Sequence, residues 1–436
     1  MVTQAMLEEL VCQNCATALE LQAVYEESEG EVAYGVVGCQ CSQRPVIDGI
    51  LCLRQSPIVS EQLELLERGA YANALALSLS NSSQTILQFT RHVAGTRGLG
   101  TVAPLLRLVA SSQAERELQR YAKASPLFGI LRDDGFGLYL RHRFSSEALW
   151  PLYAMLPMLK ETSGMVLDLG CGVGHGSFLI SKFVKPTQIV CADSSFWLLF
   201  LAKRFMVRDA SYINLDANFG LPFADGALAC VLALDMIDHV EARASLVREF
   251  ERATSAEGLI ALLHVGNALC DNFGGGRPLS PKAWFRLFRN VPMKAFAESN
   301  IVHDLMLHDR LDLSKEYTMG ELEIANALSL IATSRRDLLR AYEKVSSSFV
   351  SFEGTLRFNP AYRLTTRDGL VSLTREWPTP QYAKVLRLSA KYLHERIEFP
   401  VPRGNDILQG LVAESPEFVR GLMRRFVVLN VPPQYL

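Results

Sequence analysis

An apolar strand that runs directly into alternating glycines is the feature that most restricts the fold of this chain. Residues 166–178 read VLDLGCGVGHGSF, with glycine at every second position from 170 to 176. Glycines between a strand and a helix allow a ligand to approach the backbone closely. A nucleotide phosphate, a dinucleotide or another cofactor could use such a loop, so the neighbouring residues have to decide between them.

Two of these ligands do not fit the loop. A phosphate-binding P-loop ends in Gly-Lys-Ser/Thr, and this loop contains no lysine. A dinucleotide fingerprint has glycine at its first, third and sixth positions, whereas His175 stands at the sixth position here. Asp168 precedes the first glycine by two residues and would repel a pyrophosphate. An acid at this place suits a ligand that carries a positive amino group.

Strand and helix candidates alternate over residues 165–265. The strand candidates are MVLDL, QIVCA, YIN, ACVLAL and GLIALLH, and the helix candidates are FLISKF, WLLFLAKRF and ASLVREFERA. This alternation predicts an α/β fold, in which a parallel sheet is covered by helices on both faces.

The same residues resemble class I S-adenosylmethionine (SAM) methyltransferases. DLGCGVG is similar to their first motif, and Asp193 ends the second strand candidate, where the family places the acid that binds both ribose hydroxyls. LDANFGLPFADGALACVLALDMIDHV resembles their third and fourth motifs, with Asp216 and Ala217 at the adenine. The resemblance implies a Rossmann-like sheet and SAM as cofactor. It places the cofactor site at Asp168, Gly170, Gly172, Gly174, Asp193, Ser194, Asp216, Ala217 and Asp235.

Candidate catalytic residues follow the fourth and fifth strands, because open parallel sheets bind ligands beyond the carboxyl ends of their strands. They are His264, Asp235 and His239. His264 is the first choice for a general base, since imidazole titrates near neutral pH. A strand-end histidine with a local hydrogen bond is the equal alternative for it, and for His239 and His175 a structural role is favoured. Asn267, close behind His264, is expected to face the methyl acceptor.

Two flanking segments are candidates for covering the site. In related enzymes a helix just before the first motif covers the cofactor, which here implicates Tyr139, Arg141, His142 and Arg143. A solvated helix face is the alternative for these charges. After the fifth strand, GNALCDNFGGGRPLSP contains three consecutive glycines and leads to a predicted helix start at Ser280-Pro281. This loop is predicted to be a lid over the acceptor, with a surface insertion as the alternative.

Four cysteines in two pairs mark the N-terminus. Cys12 and Cys15 precede two strand candidates, residues 21–25 and 32–37, and Cys39 and Cys41 follow them. Four thiolates at the base of such a hairpin can bind Zn²⁺ tetrahedrally. With RPVIDGI after the second pair, the segment resembles the zinc ribbon that activates some tRNA and translation-factor methyltransferases, although one residue separates the second pair instead of two. Four thiols in a small β-domain are the alternative, and Cys52 is expected in the core.

These elements together predict five regions. They are a zinc ribbon at 1–56, a helical cap at 57–160, a Rossmann-like SAM-binding domain at 161–300, a helical segment at 301–347 and a C-terminal α+β accessory domain at 348–436. The helical segment is the later part of a helical stretch that is predicted to begin at residue 282. Within the last region, Asp368-Gly369 signals a hairpin, and Ser415-Pro416 signals a helix start. We expect the core of the larger domain to be independent of the ribbon.

The predicted function is SAM-dependent methylation of a small-molecule biosynthetic intermediate or a peptide. An rRNA or tRNA methyltransferase is one alternative, but the net charge of −2 gives no basic surplus for RNA. A non-catalytic SAM-binding or scaffold protein is the other. No signal peptide or membrane span is expected from the sequence, which predicts a cytoplasmic location in which the nine cysteines stay reduced.

Overall fold

A computed structural model describes residues 2, 4–28, 30–80, 140–271, 276–380, 382, 386–433 and 435 of the 436-residue chain. The described residues confirm the α/β class: one long mixed sheet with helices on both faces, and smaller sheets towards the C-terminus. Tyr139, Gly274 and Gly275 lie outside the described residues, as do residues 81–139 of the predicted helical cap.

The elements are numbered in chain order within the described residues. The strands are β1 (Glu20–Ser28), β2 (Glu31–Gly38), β3 (Gln43–Ile47), β4 (Ile50–Cys52), β5 (Val166–Leu169), β6 (Ile189–Asp193), β7 (Ser211–Asn214), β8 (Leu228–Leu234), β9 (Thr254–Gly266), β10 (Met293–Ala297), β11 (Arg310–Asp312), β12 (Ala327–Thr333), β13 (Ala341–Glu343), β14 (Thr355–Phe358), β15 (Tyr362–Arg367), β16 (Leu370–Arg375), β17 (Arg396–Pro400) and β18 (Val428–Val431). The helices are α1 (Gln4–Leu7), α2 (Val59–Glu67), α3 (Tyr71–Ser80), α4 (Trp150–Leu159), α5 (His175–Ile180), α6 (Phe196–Phe205), α7 (Arg243–Ala253), α8 (Pro281–Leu287), α9 (Glu298–His308), α10 (Met319–Glu323), α11 (Arg387–Tyr392), α12 (Ile407–Glu414) and α13 (Pro416–Arg424).

The centre of the long sheet has the strand order β7-β6-β5-β8-β9-β12-β10. β5 pairs in parallel with both β6 and β8, so the chain reverses its direction of growth at β5. Every residue of β5 is buried, as a parallel sheet covered on both faces requires. The five strands predicted between residues 165 and 265 are confirmed as β5 to β9. Ligands of such sheets bind at the reversal point, beyond the carboxyl ends of the strands.

The N-terminal hairpin continues this sheet. β1 to β4 add four strands, and β4 lies parallel to β7 with Leu51 opposite Ile213. Ile50 and Leu51 are both 0% exposed and pack into the two cores on either side of the sheet. The expectation of an independent core is therefore wrong, because the last ribbon strand shares both its backbone pairing and its burial with the larger domain.

Charged contacts fasten the ribbon to α6 as well. Lys203 Nζ lies 2.7 Å from Glu31 Oε1, and Arg204 bonds both carboxylate oxygens of Asp48 at 2.6 and 3.1 Å. Asp48 and Gly49 form the tight turn between β3 and β4, with φ of 54° and 72°. The structure thus has a strand on each side of this turn.

The predicted helical stretch from residue 282 to about 347 is wrong. After α8 the chain adds β10, β11, β12 and β13 between short helices, and β12 inserts antiparallel between β9 and β10. β12 reads ALSLIAT, and six of its seven residues are buried. A short apolar run without alternation cannot be told from a buried helix by its period, which explains the error. The central sheet thus extends to Thr333, beyond the boundary predicted at residue 300.

The C-terminal residues form the expected α+β module. β15 and β16 make a hairpin around Asp368 and Gly369, whose φ of 52° and 76° suit a two-residue turn. α8 and α13 begin at Pro281 and Pro416 as predicted. The module packs its own small core, which includes Val371. In the described parts of the chain, no helix has both the length and the apolar character that crossing a membrane requires.

We expect Leu51→Ala to lower the free energy of unfolding of the whole protein by about 2–5 kcal/mol, because it leaves a cavity at the junction of ribbon and sheet. All four tryptophans of the chain lie at or beyond residue 150, so their fluorescence reports the larger domain. When urea unfolding is followed by this fluorescence, the midpoint of Leu51→Ala should lie at a lower urea concentration than that of the wild type. Val24→Ala, on the outer strand and 46% exposed, is the control that should leave the midpoint nearly unchanged. An unchanged midpoint for Leu51→Ala would show that the two parts unfold separately.

Candidate functional site

Two cavities open side by side at the carboxyl ends of the parallel strands. The loop cavity, of about 160 Å³, is lined by the glycine loop together with Leu140, Asp168 and His175. The outer cavity, of about 590 Å³, is lined by the segments that follow β8 and β9, by the start of α9 and by the segment before α4. Arg143 and Asp235 line both cavities, so the two spaces adjoin.

The glycine loop is tied to the end of β6. Gly170 has a φ of 69°, and a Cβ there would lie 2.7 Å from the Cβ of Met236, so this position requires glycine. The amide of Gly172 donates to Asp193 Oδ2 at 2.9 Å, and the amide of Ser195 donates to Oδ1 at 2.8 Å. The carboxylate of Asp193 is thus fixed at the mouth of the loop before any ligand arrives.

Asp168 lies buried against the loop cavity. Its Oδ2 accepts a hydrogen bond from Ser177 Oγ at 2.5 Å. Burial nevertheless raises the pKa of Asp168 to about 6, and burial likewise raises the pKa of Asp193. A cation in the loop cavity would stabilise the ionised carboxylates. Asp168 therefore lies where a positive amino group could pair with it, and its role with the cofactor stays a prediction.

The other predicted cofactor residues do not line the loop cavity: Gly174 immediately precedes α5, Ser194 follows β6, and Asp216 and Ala217 follow β7. Gly174 packs closely against α6. Ser194 is exposed, and its carbonyl accepts a hydrogen bond from Arg54 at 3.0 Å. Asp216 caps the short turn that begins at Ala217. Their roles with the cofactor stay predictions.

A partly buried ion pair lies where the two cavities meet. Arg143 Nη1 lies 2.8 Å from Asp235 Oδ2. Burial would raise the pKa of Asp235, but the charge and hydrogen bond of Arg143 lower it, so the carboxylate is ionised. An ionised, paired carboxylate is a weak proton acceptor, which favours an organising role for Asp235. Arg143 and His142 are buried while Arg141 is exposed, so the upstream segment reaches the cavities rather than forming a wholly solvated face.

The partly exposed His264 pairs with the buried Glu298 in the wall of the outer cavity. His264 Nδ1 lies 2.5 Å from Glu298 Oε1, and its backbone amide donates to Oε2 at 3.0 Å. Burial alone would lower the pKa of His264, but the Glu298 carboxylate raises it to about 9. His264 has a φ of 55°, a strained value for a histidine at a strand end. With Nδ1 engaged, Nε2 is the ring nitrogen left to act on a ligand.

Three other predictions about this region fare differently. His239 lies exposed in a turn after β8 and lines the outer cavity. Asn267 is wrong as an acceptor-facing residue: it is fully buried and donates to three backbone carbonyls of residues 322–325, which anchors the loop. Within the predicted lid, Gly276 lines the outer cavity, and a Cβ there would lie 2.6 Å from the Cβ of Asp238. Close packing therefore requires glycine at this position.

Sequence reasoning missed Glu298, which pairs with His264 at the outer cavity. It begins α9, 34 residues after His264, and no local motif marks it. A second missed residue is Glu147, a carboxyl in the outer cavity whose Oε2 accepts from the amide of Ser389 at 2.8 Å. Burial raises the pKa of Glu147. A carboxylate at a helix start can be recognised as the partner of a strand-end histidine only when the order of the strands in the sheet is known.

The four N-terminal cysteines lie together as predicted. Their sulfur atoms are all within 4.8 Å of one another, and the measured pairs lie 3.3 to 3.6 Å apart. A zinc ion with four sulfurs at about 2.3 Å would hold neighbouring sulfurs about 3.8 Å apart, so the cluster fits such an ion. Cys52, by contrast, lies buried in β4, as expected for a core residue.

Comparison with known proteins adds an independent line of evidence. Residues 167–262 match the family model described as "Methyltransferase domain". The Malonyl-[acyl-carrier protein] O-methyltransferase of Marinomonas sp. (strain MWYL1) is 24% identical over 220 residues, which are 50% of this chain and 75% of that protein. Norajmaline N-methyltransferase of Rauvolfia serpentina is 25% identical over 127 residues, 27% of this chain and 38% of that protein.

Among solved structures, the chain is similar to a complex of the Haloferax volcanii Trm112 methyltransferase activator with a methyltransferase, at a TM-score of 0.33 and 14% identity over 48% of this chain and 98% of that one. The domain match and the curated relatives agree with the glycine loop and the reversal point of the sheet. The chain is a SAM-dependent methyltransferase. The likeness of its N-terminal ribbon to an activator stays a prediction.

The His264–Glu298 pair should make stability depend on pH. The pKa of His264 is about 9 in the fold, whereas the ordinary value is 6.5. The pair therefore stabilises the fold fully below pH 6.5, and this stabilisation is lost as the pH rises through 9. The loss should be on the order of 3 kcal/mol. Urea unfolding at pH 6, 7.5 and 9 measures it. Glu298→Gln keeps the shape but removes the charge, so its stability should fall much less over this range. Parallel pH profiles for the two proteins would contradict the pairing.

Proposed function

We propose that the protein transfers the methyl group of SAM to a hydroxyl group of a small molecule or peptide held in the outer cavity. The observation that carries the proposal is the 2.5 Å contact of His264 Nδ1 with Glu298 Oε1 beside that cavity. A carboxylate behind Nδ1 keeps the proton on that nitrogen and directs Nε2 to the substrate, which is how a histidine base is oriented. An acceptor that must lose a proton makes use of such a pair.

The residues proposed to hold SAM are those at the loop cavity and the adjacent strand ends. Asp168 would receive its amino group, Arg143 its carboxylate, and Asp193 its ribose hydroxyls, with Ser194, Asp216 and Ala217 next to the adenine. Bound SAM supplies an electrophilic methyl carbon whose bond to sulfur breaks as the new bond forms. Arg143 and Asp235 stand where the two cavities meet, so they can align the acceptor with that carbon and exclude water.

The charges of the outer cavity favour a neutral acceptor over an anion. Among the described residues it is lined by five carboxyl groups and three strongly basic or protonated groups, namely Glu147, Asp235, Asp238, Asp271 and Glu298 against Arg143, His264 and Arg387. Asp238 Oδ1 is buried and has no hydrogen-bond partner in the described part of the chain. A neutral hydroxyl can donate a hydrogen bond to a carboxylate of this lining, whereas an ionised carboxylate acceptor has no proton to donate.

A carboxylate acceptor is the second candidate, because the first relative is described as a Malonyl-[acyl-carrier protein] O-methyltransferase. An ionised carboxylate needs no base. His264, protonated at neutral pH, and Arg143 would then bind it as cations. The two candidates predict opposite pH dependence: a base must lose its proton before it acts, whereas a cation must keep it.

We expect turnover to rise with pH from about 6.5 towards 9, the pKa of His264, as Nε2 becomes able to take the hydroxyl proton. Whole-cell extracts, which contain small molecules, peptides, proteins and RNA, give the rate with methyl-labelled SAM without a guess at the acceptor. His264→Asn, a residue that tolerates positive φ, should lower the rate about a hundredfold or more. The control His308→Gln, exposed at the far end of α9, should keep it.

The labelled product separates the candidates. Methyl ethers resist mild alkali, whereas methyl esters release labelled methanol. A rate that is flat at neutral pH and falls above about 9, with alkali-labile label, would establish the carboxylate reading instead. Label recovered in RNA would establish the nucleic-acid alternative instead.

We also propose that Cys12, Cys15, Cys39 and Cys41 bind one structural zinc ion, for which the fit of their sulfur distances is the support. Asn14 N lies 3.5 Å from Cys12 Sγ, an amide-to-sulfur contact of the kind that supports a bound thiolate. Since β4 joins the ribbon to β7, the ion would stabilise the sheet as well as the hairpin.

The purified protein should contain about one zinc per chain by elemental analysis. Cys15→Ser should lose the metal and lower the urea midpoint reported by tryptophan fluorescence, because the ribbon strand is part of the common sheet. Cys270→Ser, outside the cluster, is the matched control and should keep the zinc. A wild-type protein that is grown with zinc and yet contains none would refute the site.

A further inference from the structure

Tyr435, at the C-terminal end of the described chain, lies next to the glycine loop. It follows β18, which pairs with β14 of the C-terminal module, and its side chain is 0% exposed. Its ring packs edge-on against Phe144 at 4.7 Å and against His175 at 5.4 Å between centroids. The end of the chain thus fills the core beneath the start of α5, some 260 residues away in sequence.

The hydroxyl of Tyr435 joins two segments that line the loop cavity. It donates to the carbonyl of Leu140, and its oxygen lies 2.6 Å from His175 Nε2. With the hydroxyl proton directed to Leu140, the oxygen is placed to accept a hydrogen bond from His175 Nε2–H. Burial, and then the charge of Arg143, hold the pKa of His175 well below its usual range, so the imidazole is neutral.

This contact explains the residue that breaks the dinucleotide fingerprint. His175 stands at the sixth position of the glycine loop and begins α5, while Leu140 lies just before the turn Arg143–Ser145. Phe144 in that turn packs against His175 at 4.8 Å. Leu140, Arg143 and His175 all line the loop cavity, so one tyrosine connects the residues on its two sides.

We propose that Tyr435 is a positioning residue for the cofactor: it latches the C-terminal module onto the glycine loop and the Arg143 turn, and thereby preforms the loop cavity. The inference rests on the proposed SAM site and is independent of the acceptor. Docking of β18 and Tyr435 is therefore coupled to cofactor affinity, because a ligand need not order the glycine loop and the Arg143 turn itself. The C-terminal module acts on the cofactor site without contributing to the glycine motif.

Tyr435→Phe tests the latch, because it keeps the ring and removes the hydroxyl. Calorimetry should show about a tenfold weaker binding of SAM, since two buried groups lose their partner. The ¹⁵N signal of His175 Nε2 should shift, and hydrogen exchange over residues 170–180 should accelerate. Tyr392→Phe is the matched control: its hydroxyl contacts His303 Nδ1 at 3.0 Å, away from the loop, and its loss should leave SAM affinity unchanged.

Asp193→Ala serves as the reference for a direct ligand contact and should also weaken SAM binding. If wild type binds SAM, Asp193→Ala weakens it, and Tyr435→Phe binds like wild type, the latch is refuted and the cofactor site stands. A Tyr435→Phe variant that loses no more affinity than Tyr392→Phe refutes the latch in the same way. A wild type that does not bind SAM refutes the cofactor site and the latch together.

Discussion

Burial of a parallel sheet on both faces is the constraint on which the rest of this structure depends. β5, β6, β8 and β9 run through the middle of the molecule with their side chains in core on either side. Such strands cannot carry unpaired polar groups, because a buried polar atom without a partner costs several kcal/mol. Polar residues therefore collect where the strands end. Asp193, Asp235 and His264 all stand at or just beside carboxyl ends, and the reversal at β5 places them around one space.

Groups gathered at strand ends are half-buried and need partners from outside the sheet. Asp235 forms an ion pair with Arg143, which lies in the segment before β5. His264 pairs with Glu298, which begins the helix after β10. In the glycine loop, His175 contacts the hydroxyl of Tyr435, which follows β18. Each partner also shapes the chemistry: Arg143 keeps Asp235 ionised, and Glu298 raises the pKa of His264. The site is thus assembled by three segments that flank the motif-bearing sheet.

At the β7 end of the parallel strands, the ribbon likewise supplies partners for groups that the sheet alone would leave unpaired. An exposed edge at β7 would leave a row of unpaired backbone groups, and β4 covers it with a parallel pair. The ion pairs from α6 to Glu31 and Asp48 then fix the angle of the hairpin. Because backbone, side chains and charges all cross the junction, the four-cysteine cluster lies on a structure that is continuous with the cofactor domain.

The sequence by itself determined the five core strands, the ribbon hairpin, the Asp368-Gly369 turn and the glycine loop, because each is encoded in a short window by period or by turn residues. It also located His264 and the four cysteines. The prediction for residues 282–347 was wrong because ALSLIAT in β12 has the composition of either a strand or a helix. The prediction for Asn267 was wrong because its side-chain amide donates to backbone carbonyls that are distant in sequence. Glu298 and Tyr435 could not be found at all. Their contacts span 34 and 260 residues, and only the order of the strands and the docking of the C-terminal module bring the partners together.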